Sequence, residues 1–307
     1  MDVLPIEPDV DTNSITPVRY TSPDEDSGRW SGFPFRSGDI VISTRSKSGT
    51  TWVQMICALL IFQTADPPAP LPQLSPWFDR RTASKPELLS RLEAQQHRRF
   101  IKSHTPLDGI PIDERATYIV VARNPLDMAV SLYHQGNNLN RERIHQLTGQ
   151  PEPLELPKPR PPLHEWLVDW IDSDASHREE LDSLRGVTWH LSDAWARREQ
   201  PNIILVHYDD LQRDLSGEMR RLALLLDIEV PESRWPELVD AATFTSMQSH
   251  APKLAPGGSG ILKDPSAFFR HGVSGAGREL LSNRELMHYE YRIRRMAQPD
   301  LLWWLHR

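Results

Sequence analysis

A mainly parallel α/β sheet with helices on both faces is the fold class this sequence predicts, and two patterns predict it. Short runs at 39–44, 99–103, 117–122 and 202–207, rich in Val and Ile or bounded by charge, read as strands. Helical stretches separate them, and strands that alternate with helices build a parallel sheet. At 307 residues, 38% hydrophobic and 25% charged, the chain can hold one large α/β domain or two small ones.

Taken in order, residues 1–36 are acidic and rich in Pro, Ser and Asp, with Trp30, Phe33 and Phe35 near the end. They are expected to form a loosely structured arm that docks by its aromatics. The apolar run Ile40-Val41-Ile42 then leads into Thr44-Arg45-Ser46-Lys47-Ser48-Gly49-Thr50-Thr51-Trp52 and on to the apolar stretch Val53 to Phe62. A strand, a small-residue loop with one lysine and several hydroxyls, and then a helix form an anion site, because the free N–H groups and the macrodipole of the helix N-terminus point at it. The loop is not a standard nucleotide P-loop, which needs a glycine five residues before Gly-Lys-Ser/Thr. Taken alone, it is also explained by an ordinary strand-to-helix turn with threonine caps.

The second strand ends in Lys102-Ser103-His104-Thr105-Pro106, and the third in Arg123-Asn124-Pro125. Asn124 suits an N-cap and Pro125 the first helical turn, so a helix starts there by local chemistry. Arg123 is an anion-ligand candidate, and the macrodipole accounts for Asp127. Two stretches break the rhythm. Six prolines between Pro151 and Pro162 forbid a continuous helix through 137–163, which reads as a lid or a disordered insertion. The stretch from His250 to Pro265, with Pro252, Pro256 and Gly257-Gly258-Ser259-Gly260, is expected to be mobile. There are no internal repeats.

The balance of 35 basic against 42 acidic residues, a net charge of −7, disfavours a nucleic-acid partner held by bulk positive charge. An anion site must therefore be a local concentration of Lys and Arg. The single Cys57 rules out an intrachain disulfide and a Cys-rich zinc site, and it reads as a buried, inert thiol. No signal peptide opens the chain and no run of about 18 apolar residues occurs, so a cytoplasmic protein without membrane insertion is expected.

Four segments, in this order and spacing, resemble the motifs of the PAPS-dependent sulfotransferases, which move sulfuryl from 3'-phosphoadenosine 5'-phosphosulfate to alcohols, phenols or amines. They are the loop at 44–52, Arg99 to Pro106, Tyr118 to His134, and Phe268-Phe269-Arg270-His271-Gly272. The resemblance spans roughly residues 30–285. It implies a single sulfotransferase domain over 1–307, related to the P-loop kinases, with a mobile cofactor loop over 250–280. A bacterial member is expected.

The resemblance also implies roles. Lys47 would stabilise the oxygen that bridges phosphate and sulfate, with Ser48, Gly49, Thr50 and Thr51 donating to the phosphate and Trp52 flanking the adenine. Arg123 and Ser131 would hold the 3'-phosphate, His104 would be the base, and Lys102 would support it by stabilising charge. Val206-His207-Tyr208-Asp209-Asp210-Leu211 places Tyr208 near the adenine, and Thr243 to Met247 brings in Phe244 and Met247. In the last segment Phe269, Arg270 and Gly272 fit, but His271 stands where lysine is usual, which implies weaker or more pH-dependent donor binding. A sulfuryl group carries less charge than a phosphoryl group, so no metal is expected.

Two other readings remain at this level: a nucleotide-dependent small-molecule kinase, and a catalytically silent nucleotide-binding protein. The regions that would line an acceptor pocket match nothing familiar. Trp77, Phe78, Tyr133, Trp166 and Trp170 are candidates for it, or for the core. A small or medium, partly apolar alcohol or phenol is the expected acceptor; the oligomeric state stays open.

Overall fold

The computed structural model describes residues 16–149, 159–256, 260–270, 272 and 274–307. Its centre is a four-stranded sheet of β1 (Ile40–Ser43), β2 (Phe100–Ser103), β3 (Thr117–Ala122) and β4 (Ile203–His207), in the order β2-β1-β3-β4. Every pairing is parallel, with Ile42 beside Lys102 and Ile119, and Ala122 beside His207. All four strands fall within two residues of the predicted runs.

Alternation along each strand divides the core in two. Val41, Ile101, Tyr118 and Val120 face one side and pack with the helices Pro125–Asn138, Leu163–Asp172 and Leu184–Ala196. Ile42, Phe100, Ile119, Val121 and Val206 face the other, against the helices Thr50–Phe62, Leu215–Leu225 and Trp235–Ala241. Both faces are therefore covered, as apolar parallel strands require. The helix Thr50–Phe62 is buried from Thr50 to Leu60 and apolar on every side, so it is a core helix, and the Cys57 thiol inside it is pushed up to about 12 by burial. At the opening edge of the sheet the buried pair Arg99–Asp39 ties β2 to β1, with Arg99 Nε donating to Asp39 Oδ1 at 2.7 Å.

The N-terminal arm docks by its aromatics, as expected, over its described part: Trp30 is 0% exposed and packs on Phe33, Phe35 and Phe78. One expectation needs correction. Within 137–163 the chain forms a helix, Arg141–Thr148, capped by the Asn140 side chain at its start and by Gly149 with φ 66° at its end. The prolines that weigh against helix lie beyond it, and residues 150–158 fall outside the described part. In the 250–265 stretch, Ala251–Leu254 forms one helical turn, while 257–259 are not described.

Candidate active site

The strand order places a switch point at β1: the chain leaves it for β2 on one side and reaches β3 on the other. Open α/β sheets bind ligands in the crevice beyond the carboxyl ends of strands at such a point. The carboxyl ends here are followed by the loop from Thr44, by His104, by Arg123 and by Tyr208. They surround a cavity of about 440 Å³.

Lys47, Gly49, Thr50, Thr51, Trp52, Lys102, His104, Arg123, Ser131, Tyr208, Phe244, Met247, Phe269, Arg270 and Gly272 all line that cavity. Ser48 does not; its side chain is buried and its N–H donates to Arg45 O at 3.3 Å, so it serves the loop's own turn. His271 lies outside the described residues. Of the aromatic candidates, Trp77 and Trp166 reach the cavity, and Tyr133 packs on Trp166 with centroids 5.4 Å apart. Phe78 and Trp170 are core residues.

Local geometry explains the loop. Gly49 sits at φ 109°, and a Cβ there would lie 3.0 Å from Tyr208 Cδ2, so only glycine lets the backbone turn into the helix against that ring. Lys47 also has a positive φ of 64°, an uncommon conformation for a non-glycine residue. Its ammonium stands 3.9 Å over the Phe268 ring. The outer rim of the loop is fixed by Asp182, which accepts from Arg45 NH2 at 2.7 Å and from Ser46 Oγ at 2.9 Å.

The aromatics expected to flank the adenine also converge. Trp52 meets Tyr208 edge-on at 5.2 Å and donates from Nε1 to Ala242 O at 2.9 Å. Arg123 lies 4.3 Å over the other partner, the Tyr208 ring, and donates to Lys47 O at 3.2 Å. Gly272, at φ 62°, approaches Phe244 so closely that a Cβ would come within 2.5 Å of its ring. Gln248 holds Phe269 O at 2.7 Å, and Asp127 accepts from Gly275 N at 2.8 Å and Gly277 N at 2.9 Å. The macrodipole reading of Asp127 is therefore incomplete, because its carboxylate also pins the segment after Gly272.

The electrostatics match an anion. Burial, then Arg123, Lys102 and Arg270, lower the Lys47 ammonium to about 7. Burial, then Arg80, lower Lys102 to about 7, against the pull of Glu25 and Asp79. Burial, then the Lys102 and Arg45 charges, hold His104 well below its ordinary value, so it is neutral at neutral pH. Its Nδ1 faces Thr44 O, an acceptor only, so Nδ1 carries the proton and Nε2 keeps a lone pair.

The residues matched by a family model for the sulfotransferase domain are 37–294. The chain belongs to the sulfotransferase family. It is 39% identical to a glycolipid sulfotransferase of Mycobacterium bovis over 94% of each chain, and 26% identical to human sulfotransferase 2B1 over 87% of this chain and 69% of that one. Solved structures show the same fold. A retinol dehydratase complexed with androsterone and PAP matches at TM-score 0.66 with 20% identity, covering 91% of this chain and 86% of that one. A mouse sulfotransferase complexed with PAP matches at 0.65 with 19% identity, covering 91% and 92%. The chain is thus a sulfotransferase, with PAPS as donor, and the kinase reading of the loop falls away.

Several residues at the site carried no signal in the sequence. Glu25, on the N-terminal arm, lines the cavity, and its carboxyl is raised to about 7 by burial, with the Arg45 guanidinium 3.9 Å away pulling the other way. Asp79, Asp182 and Gln248 are ordinary residues made important by tertiary contact. No helix among the described residues is long and apolar enough to cross a membrane.

Proposed function

We propose that this sulfotransferase acts on a hydroxyl of an amphiphilic, glycolipid-like acceptor, with His104 as general base and Lys47 and Lys102 as the charges that stabilise the leaving phosphate. PAPS supplies a sulfuryl group whose bond to the 5'-phosphate breaks as the acceptor oxygen bonds to sulfur. Nε2 of His104 takes the acceptor's proton, which a neutral imidazole held at Nδ1 is prepared to do. Lys47 and Lys102 face charge that grows as the reaction proceeds, so they favour the transition state over the ground state. Arg123, Ser131 and Arg270 would take the 3'-phosphate, and Trp52, Tyr208, Phe244 and Met247 the adenine.

The observation that carries this reading is the meeting of cations and a tautomer-fixed imidazole at the carboxyl ends of the strands. The residues present suit the donor: two glycines allow backbone to approach, and ammonium and guanidinium groups that depress one another call for an anion.

For the acceptor, the support is twofold. Relatives at 39% identity carry the name glycolipid sulfotransferase. The cavity lining also has two characters, acidic at Glu25, Glu180 and Asp182 and apolar at Leu132, Leu139, Trp166 and Leu262. A sugar head and an apolar tail would match the two; a small phenol would use only the second. Transfer of labelled sulfuryl to neutral glycolipids and to simple phenols tests the choice, and phenols turned over with the higher kcat/KM would defeat it. His104→Ala and Lys47→Ala, folded but retaining full turnover, would defeat the roles.

A further inference from the structure

We infer that Asp79 is a positioning residue for the base, fixing the turn that carries His104 without itself touching either substrate. The inference rests on His104 being the base. The short segment Pro76 to Arg80 runs beside β2, with Lys102 N donating to Pro76 O and Phe78 N donating to Lys102 O, both at 3.0 Å. That register brings Asp79, which is 0% exposed and not part of the cavity wall, against the end of the strand.

One oxygen, Oδ2, accepts three hydrogen bonds from three consecutive residues: Ser103 Oγ at 3.1 Å, His104 N at 3.0 Å and Thr105 Oγ1 at 2.6 Å. The other, Oδ1, is buried with no hydrogen-bond partner. Leaving a buried carboxyl oxygen unpaired costs free energy, so closing this turn is not the cheapest use of the position. What the carboxylate does secure is His104. With Asp79 on its N–H, Arg45 on its carbonyl, Thr44 O on Nδ1 and the Trp77 ring roughly perpendicular to it at 4.4 Å between centroids, the imidazole has one placement.

Asp79 also acts on charge. The charged and titratable groups facing Lys102 are Asp79 and Arg80 from the same segment, Glu25 from the arm, Lys47 from the donor loop and His104 at its own strand end. Asp79 and Glu25 favour the ammonium, and Arg80 opposes it. Removing the Asp79 charge therefore lowers the Lys102 pKa, and the alkaline limb of the kcat profile moves to lower pH.

The test is Asp79→Asn, measured as kcat across pH beside PAP affinity by calorimetry. A loosened base should cost about tenfold to a hundredfold in kcat, with PAP affinity held within about twofold and the alkaline limb displaced downward. Unchanged kcat, or kcat and PAP affinity falling together, would overturn the inference. Should Asp79→Asn not fold, Thr105→Val decides: it removes the 2.6 Å bond but keeps the charge. A lowered kcat with an unmoved limb and intact PAP affinity is expected, and wild-type kcat would overturn the role. His104→Ala separates the two readings. If it is inert while Asp79→Asn is fully active, only the Asp79 role fails; if it stays active, the base assignment fails and the Asp79 role with it.

Discussion

Raising the pH from 7 to 8.5 should weaken donor binding by an amount that counts the lysines coupled to it. In the free protein Lys47 and Lys102 titrate near about 7, because burial and neighbouring cations disfavour the charged form. A bound bisphosphate reverses that balance and raises both values, so binding above pH 7 must take up protons. The sign is fixed: a group whose pKa rises on binding makes affinity fall as pH climbs past its free value. For one lysine moving from about 7 to well above 9, the dissociation constant should rise roughly fifteenfold between pH 7 and 8.5; two would give a few hundredfold. Titration of PAP in buffers of different ionisation enthalpy measures both the constant and the protons taken up, roughly half of one per lysine at pH 7 and nearly one at 8.5. Staying at or above pH 7 keeps the phosphate's own titration, near ~6, mostly out of the range. A constant flat within about twofold, with no proton uptake, would show that both ammonium groups are already charged in the free site and would refute the electrostatic reasoning. In Lys47→Met the dependence should shrink to the Lys102 contribution.

Three further outcomes are expected. In Gly272→Ala the new Cβ meets Phe244 within 2.5 Å at a φ of 62°, so PAP affinity should fall about tenfold or more while the urea midpoint barely moves. Asp127→Asn weakens the charge-assisted bonds to Gly275 N and Gly277 N; hydrogen exchange should show lost protection at those amides, with donor affinity down about tenfold. Asp39→Asn leaves the Arg99 guanidinium, 3% exposed, facing a neutral amide, and should cost about 3–5 kcal/mol in urea unfolding at unchanged slope.

The strands were legible because each is rich in Val and Ile or bounded by charge, and the loop at 44–52 because three further segments in the expected order accompany it, since alone it could have been an ordinary strand-to-helix turn. Arg123 gained meaning from its place at a strand's end, and His104 from the Lys-Ser-His-Thr-Pro context of the resemblance. The helix Arg141–Thr148 was hidden although its signals, Asn140 before it and Gly149 after it, stand in the sequence; the dense prolines downstream outweighed them. Asp79 and Glu25 could not be read at all, and Asp127 only as a charge suited to the first turn of its helix. Each acts on a segment tens to more than a hundred residues away, as when Asp127 accepts from Gly277, and nothing local marks a carboxylate destined for that use. Trp77-Phe78 next to Asp79 hinted at a buried segment, but not at which strand it would flank.

An acidic chain that must bind an anion resolves the conflict by placement. Its net charge is −7, yet Lys47, Lys102, Arg123 and Arg270 are gathered at one wall of one cavity. Burial, with the repulsion of Arg123, Lys102 and Arg270 on Lys47 and of Arg80 on Lys102, depresses both lysine pKa values, and the fold carries that cost in the free state. The carboxylates that could relieve it are kept off the donor side: Asp182 is engaged by Arg45 and Ser46, and Asp127 by backbone amides. Glu25 and Asp79 act on Lys102 and Arg45 and not on Lys47. A carboxylate paired directly with Lys47 would make the free protein more stable and the donor complex weaker, since the donor would have to displace it. The site therefore exchanges some stability of the empty fold for affinity, and donor binding should raise the melting temperature more at pH 7 than at pH 8.5, where the lysines are already neutral and less repulsion remains to be relieved.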